Sequence, residues 1–562
     1  MSGVRDPPPD PLRDGALRGA VGASGLLYAT CGRRRSARAR HEAGDAALRG
    51  CDGPLDGEEL ARDLLLALLA SPLAHRSDAT RELVEAGRDG RQLCEIGCHG
   101  AIVAARALGP RTKDLRWRFE AAGTGGYAAA VLRVLDLRGA GDELTTRLPR
   151  PDLAADEGVE HVRAILADVR ARGDAAVREY TERFDGARLE GLAVPLEEAA
   201  AALERLPSRL REALVVARDN IDAFYRRRPE PQERYERGGI TIDALEIPVD
   251  RAGVYAPGGR AKYPSSVLMT AVPPKVAGVG AVVLCVPPGP DGKLPDELLA
   301  AAALAGVDEI YRIGGPQAIA AMAYGTESLE RVDVIVGAGS RYVSLAKQEV
   351  RGVVGVPAAF AGPSEVVVVA DETVPASCAA IDVVVQAEHG PDGLAWLVTW
   401  SEKALEEINS AIGEYVADAP RRAEIESTLA AGGYAVLVDG PAEALAVANE
   451  IAPEHLELAC ADARSLVPLV RHAGAVFLGP WSPASLGDYL AGPSHVLPTF
   501  GSARFSSVLG VEDFVRRVHV IEASREGLHD AAPHVAAIAT AEGLFAHARS
   551  VAVREEVGGP GR

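Results

Sequence analysis

The stretch Glu309–Gly325, EIYRIGGPQAIAAMAYG, predicts the fold class of the chain. Its first five residues are predicted to form a strand, a Gly-Gly-Pro turn follows, and a helix begins at Gln317. Two other apolar strands, AVVLCVPP from Ala281 and VVVVAD from Val366, are also followed by turn residues and helical runs. Strands that alternate with helices in this way predict an α/β protein with parallel sheets and helical crossovers.

The alternation begins near Val131, at VLRVLDLRG. Beyond it, Val159–Phe184 is predicted to form two amphipathic helices broken at Gly173, and helical patterns continue from Leu196 to Arg228. The segment 1–130 is rich in Ala, Arg and Gly and has few strand signals, so we expect it to be a poorly ordered extension. The segment after Arg516 is predicted to be short and helical.

Composition limits the classes of partner. The chain has 562 residues and a formal net charge of -19, which argues against nucleic acid and anionic membranes because both require a surplus of Lys and Arg. The longest apolar stretch, from Leu64, is too short to cross a bilayer, which takes about 20 residues. Seven widely spaced cysteines and no secretory signal at the start predict a cytoplasmic protein that acts on a small molecule.

Two features of the extension imitate functional motifs. Cys94, Cys98 and His99 lack the CxxCH spacing of a haem site and a second pair of zinc ligands. The GTGGY stretch at 123–127 does not follow a strand and is a poor dinucleotide motif. By contrast, the Gly314-Gly315 turn precedes a helix, where it suits a nucleotide or another polar ligand, although a tight structural connection explains such a turn equally well.

Polar residues in the second half of the chain share one chemistry. They are Gln386 and His389 in QAEHG, Glu454 and His455 in APEHLEL, Asp488 and His495 in SLGDYLAGPSHVLPT, and Glu542 and His547 in AEGLFAHARS. Imidazoles and a carboxylate suit Zn²⁺, and a neighbouring Glu-His pair suits proton abstraction. The pattern predicts a metal-assisted enzyme, although spacing alone does not pair distant ligands. The plainer alternative for PEHL is a helix start with Pro453 in its first turn and an exposed Glu454.

The sequence from about Val131 to Arg554 resembles the histidinol dehydrogenases. The resemblance is carried by VYAPGGRAKYPSSVLMTAVPPKVAGV, GGPQAIAAMAYGTESL, AGPSEVVVVAD, QAEHGPDG, NEIAPEHLEL, SPASLGDYLAGPSHVLPT, ARFSSVLGVEDF and AEGLFAHA. The segment 1–130 has no counterpart in that family.

The resemblance implies two Rossmann-like parallel-sheet domains and a helical C-terminal tail. The implied divisions are the extension at 1–130, a helical part of the core at 131–232, a cofactor-side domain at 233–361, a zinc and catalytic domain at 362–505, and a tail at 506–562. It also implies a homodimer in which the tail of one subunit completes the active site of the other.

The implied activity is oxidation of L-histidinol through L-histidinaldehyde to L-histidine, with two NAD⁺ reduced, as the last steps of histidine biosynthesis. Residues matching the family's zinc ligands are Gln386, His389, Asp488 and His547, which also contact substrate. His455 matches a general base that contacts substrate, and Glu454 matches the residue that activates water. Further matches are the substrate contacts Ser364, His495 and Glu542 and the cofactor contacts Tyr255, Gln317 and Ser340.

Two departures from the family pattern concern the cofactor. The chain has GAGS at 337–340 where the family has GPGN, so Ser340 replaces an asparagine amide. Ala358 stands about where an acidic residue is common. These departures keep open a related zinc- and NAD-dependent dehydrogenase acting on another small polar alcohol. A non-catalytic zinc-binding assembly protein is the alternative from another class.

Catalysis through a cysteine is not expected. Cys285, Cys378 and Cys460 lie in apolar strands or helical patterns that are typical of packed residues rather than nucleophiles.

Overall fold

The computed structural model describes residues 131–149, 158–227, 234–258, 262–357, 364–388, 390 and 393–557. The strands are β1 (Arg133–Asp136), β2 (Ala193–Val194), β3 (Tyr235–Arg237), β4 (Ile240–Pro248), β5 (Arg251–Tyr255), β6 (Ala281–Val286), β7 (Glu309–Arg312), β8 (Val334–Val336), β9 (Glu365–Ala370), β10 (Leu394–Thr399), β11 (Gly433–Leu437), β12 (His455–Ala459), β13 (Ala475–Leu478) and β14 (Val515–Ala523).

The α-helices alternate with most of these strands. They are α1 (Val159–Arg172), α2 (Asp174–Asp185), α3 (Leu196–Arg205), α4 (Ser208–Tyr225), α5 (Pro264–Ala277), α6 (Asp296–Ala305), α7 (Gly315–Tyr324), α8 (Arg341–Glu349), α9 (Ala376–Ala387), α10 (Glu402–Asp418), α11 (Arg422–Gly432), α12 (Pro441–Ile451), α13 (Ala463–Leu466), α14 (Ala484–Tyr489), α15 (Arg525–Ala541) and α16 (Phe545–Val557). None of the described helices is long and apolar enough to cross a membrane.

A five-stranded sheet forms one half of the core. Its order is β2-β7-β6-β5-β8, with β2 antiparallel at one edge and the other neighbours parallel. Strand β6 is buried on both faces because α5 and α6 cover one side and α7 covers the other. The stretch Glu309–Gly325 forms β7, its turn and α7 as predicted, with the helix beginning two residues earlier, at Gly315.

A six-stranded parallel sheet forms the other half. Its order is β1-β11-β10-β9-β12-β13, so β9 and β12 lie side by side. The edge strand β1 precedes the helices of the described part of the chain and pairs with β11 about 300 residues later, from Arg133 opposite Tyr434 onward. The α/β fold class with two parallel sheets, predicted from the alternation of strands and helices, is confirmed.

The end of the chain differs from expectation. The segment after Arg516 was expected to be helical, but it continues β14, which pairs antiparallel with β4 over nine residues in a third sheet, β14-β4-β3. The alternating Val518, Val520 and β-branched Ile521 suit a strand better than a helix. The helical tail begins only at Arg525, where the Ser524 side chain accepts from the Gly527 N–H and caps α15.

Candidate active site

The Glu454-His455 pair lies where β12 begins. His455 is the first residue of β12, whose neighbours are β9 and β13. Glu454 and His455 are only 6% and 5% exposed. The alternative of a helix start with an exposed glutamate is therefore wrong, because PEHL leads into a buried strand. Burial of two ionisable groups side by side is costly unless they are paired, and such pairs are typical of functional sites.

The contacts of His455 orient its two ring nitrogens differently. Nδ1 lies 3.4 Å from the carbonyl oxygen of Glu365, and because a carbonyl only accepts, Nδ1 carries the proton of this contact. Nε2 lies 3.4 Å from Asp488 Oδ1 without the alignment of a hydrogen bond, and it has no hydrogen-bond partner among the described residues. In the neutral ring, Nε2 is therefore the nitrogen with an available lone pair.

The charges around His455 decide its protonation. Burial alone would lower the pKa of His455, but the Glu454 carboxylate and then Asp488 outweigh burial and raise the pKa to about 9. Glu454 Oε2 lies 3.8 Å from His455 Nδ1. A cation bound to Asp488 would offset the contribution of that carboxylate and bring the pKa of His455 down.

Of the predicted metal ligands, Asp488 lies beside this pair and Gln386 is buried on a separate element. Gln386 is in the last turn of α9 and is buried, and its Nε2 has no partner among the described residues. Rotation of the glutamine side-chain amide exchanges the positions of its nitrogen and oxygen. The position without a partner could therefore also hold the oxygen, which could face a cation. Asp488 lies in the short helix α14. His389 lies outside the described residues.

The two predicted site residues of the C-terminal tail are more exposed to solvent than Gln386 and Asp488. Glu542 follows α15, and His547 is in the first turn of α16; both are exposed. Within the described residues, no group of three or more His, Cys, Asp and Glu side chains is arranged to hold a metal ion. The carboxylate of Asp488 and the side-chain amide of Gln386 are chemically suited to a zinc ion, and the four-residue ligand set implied by the family resemblance remains a prediction.

His495 and Ser364 border the pair. His495 Nδ1 donates to the carbonyl oxygen of Asp488 at 2.9 Å, and Nε2 lies 3.1 Å from Ser266 Oγ in α5. Because Nδ1 bears the proton of the first contact, the neutral ring accepts from the serine hydroxyl with Nε2. Ser364 is half-buried directly before β9, and its carbonyl accepts from Leu394 N at 3.2 Å.

A cavity of about 450 Å³ is lined in part by Asp488. Its walls come from both halves of the core: Tyr263, Met269 and Ile221 on one side, and Glu388, Asp488 and Tyr489 on the other. A cavity with mostly apolar walls and a few convergent carboxylates is typical of a small-molecule site.

The predicted cofactor contacts lie at the five-stranded sheet. Tyr255 ends β5, is buried, and its hydroxyl accepts from the Gly315 N–H at 3.1 Å. Gln317 is fully buried in the first turn of α7, and neither of its side-chain amide atoms has a partner among the described residues. A buried amide without partners costs free energy unless a ligand or water satisfies it. This end of β5 and β7 can therefore receive a polar ligand.

The GAGS turn lies next to Tyr255. Gly337 has a φ of 111°, and a Cβ there would meet the Tyr255 carbonyl oxygen at 2.0 Å, so only glycine fits. The buried Lys347 Nζ donates to the Gly337 carbonyl at 2.8 Å, and burial lowers the pKa of Lys347 to about 8. Ser340 is exposed at the start of α8 and its side chain makes no capping hydrogen bond. Ala358 lies outside the described residues.

The three described cysteines are free thiols. Cys285 is fully buried in β6, and burial raises its pKa. Burial followed by the charge of Asp371 raises the pKa of Cys460 to about 11. Thiols held protonated in this way are poor nucleophiles, which supports the prediction that no cysteine takes part.

Two carboxylates of the site were not predicted from the sequence. Glu365 opens the apolar run EVVVVA and touches both members of the Glu-His pair. Glu457 in HLELA accepts from the N–H of Ala484, the first residue of α14, at 2.8 Å, and burial followed by Asp382 raises its pKa to about 9. The signal that indicates both is a glutamate within a strand otherwise typical of a fully buried sheet.

Comparison with known proteins identifies close relatives. A profile described as "Histidinol dehydrogenase" matches residues 148–555. The histidinol dehydrogenase of Synechococcus sp. is 46% identical over 412 residues, which are 72% of this chain and 95% of the relative. That of Pseudomonas aeruginosa is 46% identical over 405 residues, which are 71% and 92%.

A solved structure is also similar. The crystal structure of histidinol dehydrogenase from Elizabethkingia anophelis has a TM-score of 0.73 at 32% identity and covers 76% of this chain and 99% of that one. The segment 1–130 remains outside the profile match, as expected.

Proposed function

The chain belongs to the histidinol dehydrogenase family and is an oxidoreductase, and on that premise we propose that it converts L-histidinol through L-histidinaldehyde to L-histidine. Each of the two oxidations transfers one hydride to NAD⁺. The observation that supports this proposal most directly is the buried Glu454-His455 pair beside Asp488, which itself lines a cavity of about 450 Å³.

We assign the proton transfers to this pair. His455 Nε2, whose lone pair is available when Nδ1 donates to Glu365, takes the hydroxyl proton of histidinol as hydride leaves the same carbon. Glu454 takes a proton from the water that adds to the aldehyde, which gives the hydrate. Loss of a second hydride from the hydrate yields the carboxylate, so no thioester or free thiolate is required.

The proposed zinc ligands are Gln386, His389, Asp488 and His547, and the metal would supply a fixed anchor for the imidazole and amine of the substrate. Ser364, His495 and Glu542 are proposed to contact the substrate as well. His495 is already oriented by Asp488 and Ser266, so it presents a fixed ring to the site.

The proposed NAD contacts are Tyr255, Gln317 and Ser340. Support comes from the unpartnered amide of Gln317 beside the Gly-Gly turn and from the tyrosine hydroxyl that faces the same turn. Under this proposal, residues 233–361 bind the cofactor, and residues 362–505 bind the metal and contain the catalytic pair.

We propose a homodimer in which the tail, 506–562, exchanges between subunits. Glu542 and His547 are exposed in the single chain, although both belong to the proposed site. Several apolar side chains of the tail are also exposed: Ile521, Ile538, Phe545 and Val557. Exposed apolar patches of this kind are typical of subunit interfaces. The cytoplasmic location expected from the sequence remains a prediction.

A related dehydrogenase for another small polar alcohol is the second candidate, and Ser340 in place of the family's asparagine is the observation that favours it. The non-catalytic alternative is weaker, because a zinc-binding assembly protein has no use for a buried Glu-His pair.

The decisive experiment measures NADH formed by the purified, zinc-loaded full chain with L-histidinol and with other amino alcohols. We expect two NADH per histidinol and loss of turnover after chelation. Turnover of a different alcohol alone would support the second candidate. Zinc binding without turnover of any alcohol would support the non-catalytic one. Size-exclusion chromatography with light scattering tests the dimer, and mixing inactive His455→Ala with inactive His547→Ala subunits should restore part of the activity if the tail exchanges.

A further inference from the structure

Glu365 touches both members of the catalytic pair with its main chain. It is the first residue of β9 and is 2% exposed. Its N–H donates to Glu454 Oε2 at 3.0 Å, and its carbonyl accepts from His455 Nδ1 at 3.4 Å. One residue therefore contacts the carboxylate proposed to activate water and sets which nitrogen of the proposed base keeps its proton.

The Glu365 side chain fixes that main chain in place. Oε1 accepts from the Phe500 N–H at 2.9 Å, and the carboxylate also accepts from the backbone of Glu454 and Gly501. Glu365 and Glu454 thus each bind the other's main chain with a carboxylate. Phe500 and Gly501 have φ values of 52° and 72°, and consecutive N–H groups in such a turn form a concave site for an anion.

The cost of this arrangement argues against ordinary packing. Burial and then the neighbouring Glu454 charge raise the pKa of Glu365 to about 8, so the group is buried at a free-energy penalty. The next four residues of β9 are valines, and a fifth would fill the same strand without that penalty. The carboxyl group at this position is explained by its hydrogen bonds to the main chain of Phe500, Gly501 and Glu454, which anchor the start of β9 beside the pair.

We propose that Glu365 is a positioning residue for the reaction, which anchors the start of β9 so that its main chain holds the Glu454 carboxylate and the His455 ring in reactive orientation. The inference rests on the proposed function and deepens it. Both oxidations depend on Glu365, because one residue positions the groups used in each.

The test compares Glu365→Ala and Glu365→Gln in the full-length, zinc-loaded protein. Glu309→Ala is the matched control, because Glu309 also opens a buried parallel strand, β7, but binds Arg251 and Tyr311 away from the pair. The kcat and KM are measured separately for histidinol and for histidinaldehyde, and rates are expressed per zinc-loaded site. Melting temperatures are recorded for all variants.

We expect Glu365→Ala to lower kcat about 30-fold or more for both substrates while KM changes less than about threefold, as loss of orientation alone predicts. Glu365→Gln keeps an acceptor oxygen for Phe500 and should recover kcat to within about fivefold of the wild type. Glu309→Ala should change kcat less than about twofold.

A wild-type kcat in Glu365→Ala, or a loss no larger than that of Glu309→Ala, would overturn the proposal and leave Glu365 as a structural anchor. If Glu365→Ala does not fold, Glu365→Gln and Glu365→Asp decide: the shorter aspartate should lose more kcat than glutamine, and equal rates would overturn it. Failure of the proposed function is distinguishable, because the wild type would then not oxidise histidinol. The same variants would be compared on whichever alcohol it does oxidise.

Discussion

The polar groups of the two sheets lie at different ends of their strands: at the carboxyl ends in the five-stranded sheet and at the amino ends in the six-stranded sheet. In the five-stranded sheet, Tyr255 and the Gly314-Gly315 turn lie at the carboxyl ends of β5 and β7, where ligands of open α/β sheets usually bind. In the six-stranded sheet, Ser364, Glu365 and His455 lie where β9 and β12 begin. A search confined to the carboxyl ends of strands therefore misses the proposed catalytic pair, Glu454 and His455, which lies where β12 begins.

Replacement of the proposed base, His455, should have the largest effect on turnover and should not affect the proposed cofactor site. His455→Ala should lower kcat for histidinol about 10²- to 10⁴-fold and leave KM for NAD⁺ unchanged. The exposed His161 in α1 provides the control, His161→Ala. Steady-state assays across pH should also show a rising limb that lies above pH 6.5 and no higher than about 9, the raised pKa of His455. A selective rise in KM for NAD⁺ would contradict the separation of the two sites.

The buried lysine under the GAGS turn should make stability depend on pH. The pKa of Lys347 is about 8 in the folded chain and 10.5 in the reference state, so the unfolded chain binds more protons between these values. The free energy of unfolding from this group therefore rises with pH from 8 to 10.5, by roughly 3 kcal/mol. Denaturant titrations should show this rise in the wild type and not in Lys347→Met.

Buried tyrosines should lower the free energy of unfolding as pH rises through the upper end of that pH range. Burial raises the pKa values of Tyr225 and Tyr255, so their contribution to stability falls as pH rises above the ordinary tyrosine value. The difference between the wild type and Lys347→Met removes this background. An equal pH dependence in both proteins would contradict a lowered pKa of Lys347.

Gln317 should affect cofactor binding without affecting chemistry. Gln317→Ala removes one hydrogen-bonding group and should raise KM for NAD⁺ about tenfold, while kcat at saturating NAD⁺ changes less than about twofold. Initial rates at varied NAD⁺ and fixed histidinol measure both constants. A fall in kcat at unchanged KM would place Gln317 with the catalytic pair instead.

Ser340→Asn tests the departure from the family pattern. Asparagine at the exposed start of α8 has the longer reach and the donor-acceptor pair that serine lacks, so KM for NAD⁺ should fall about two- to fivefold. Fluorescence titration with NADH gives an independent binding constant. No change would mean that this turn does not touch the cofactor.

Thiol modification should have the smallest effect. Low-dose alkylation should leave activity intact, because Cys285 is buried and protonated and Cys460 has a pKa of about 11. Mass spectrometry of the labelled protein identifies which thiols react. Stoichiometric inactivation with one labelled cysteine would refute the water-based route to the acid.

The fold was more accessible from the sequence than the site. Strand, turn and helix at Glu309–Gly325 are encoded locally, by a short strand-forming run and a Gly-Gly-Pro turn, and were predicted closely. The pairing of β1 with β11 and of β14 with β4 depends on partners hundreds of residues away, so periodicity gives no sign of it. For the same reason, local spacing suggested a helix start at PEHL and a helix after Arg516.

The same distinction between local and long-range features applies to the site residues. Residue type alone indicated metal-assisted chemistry, but the grouping of Gln386, Asp488 and His455 came from family resemblance because they lie on separate elements. A glutamate before four valines marks Glu365 as unusual, but this local signal does not tell which residues it contacts. Its importance depends on β9 and β12 being neighbours.

The end of the strands at which a site lies also determines whether the neighbouring helix terminus is partially positive or partially negative. Crossover helices run opposite to parallel strands, so α9 ends at Ala387, beside the catalytic edge, and its carbonyl end is partially negative. The amino end of α7, which faces the proposed cofactor site, is partially positive. The helix end beside the proposed catalytic site therefore favours positive charge, which suits the proposed metal and the protonated amine of the proposed substrate. The helix end beside the proposed cofactor site favours negative charge, which suits the pyrophosphate of the proposed NAD⁺.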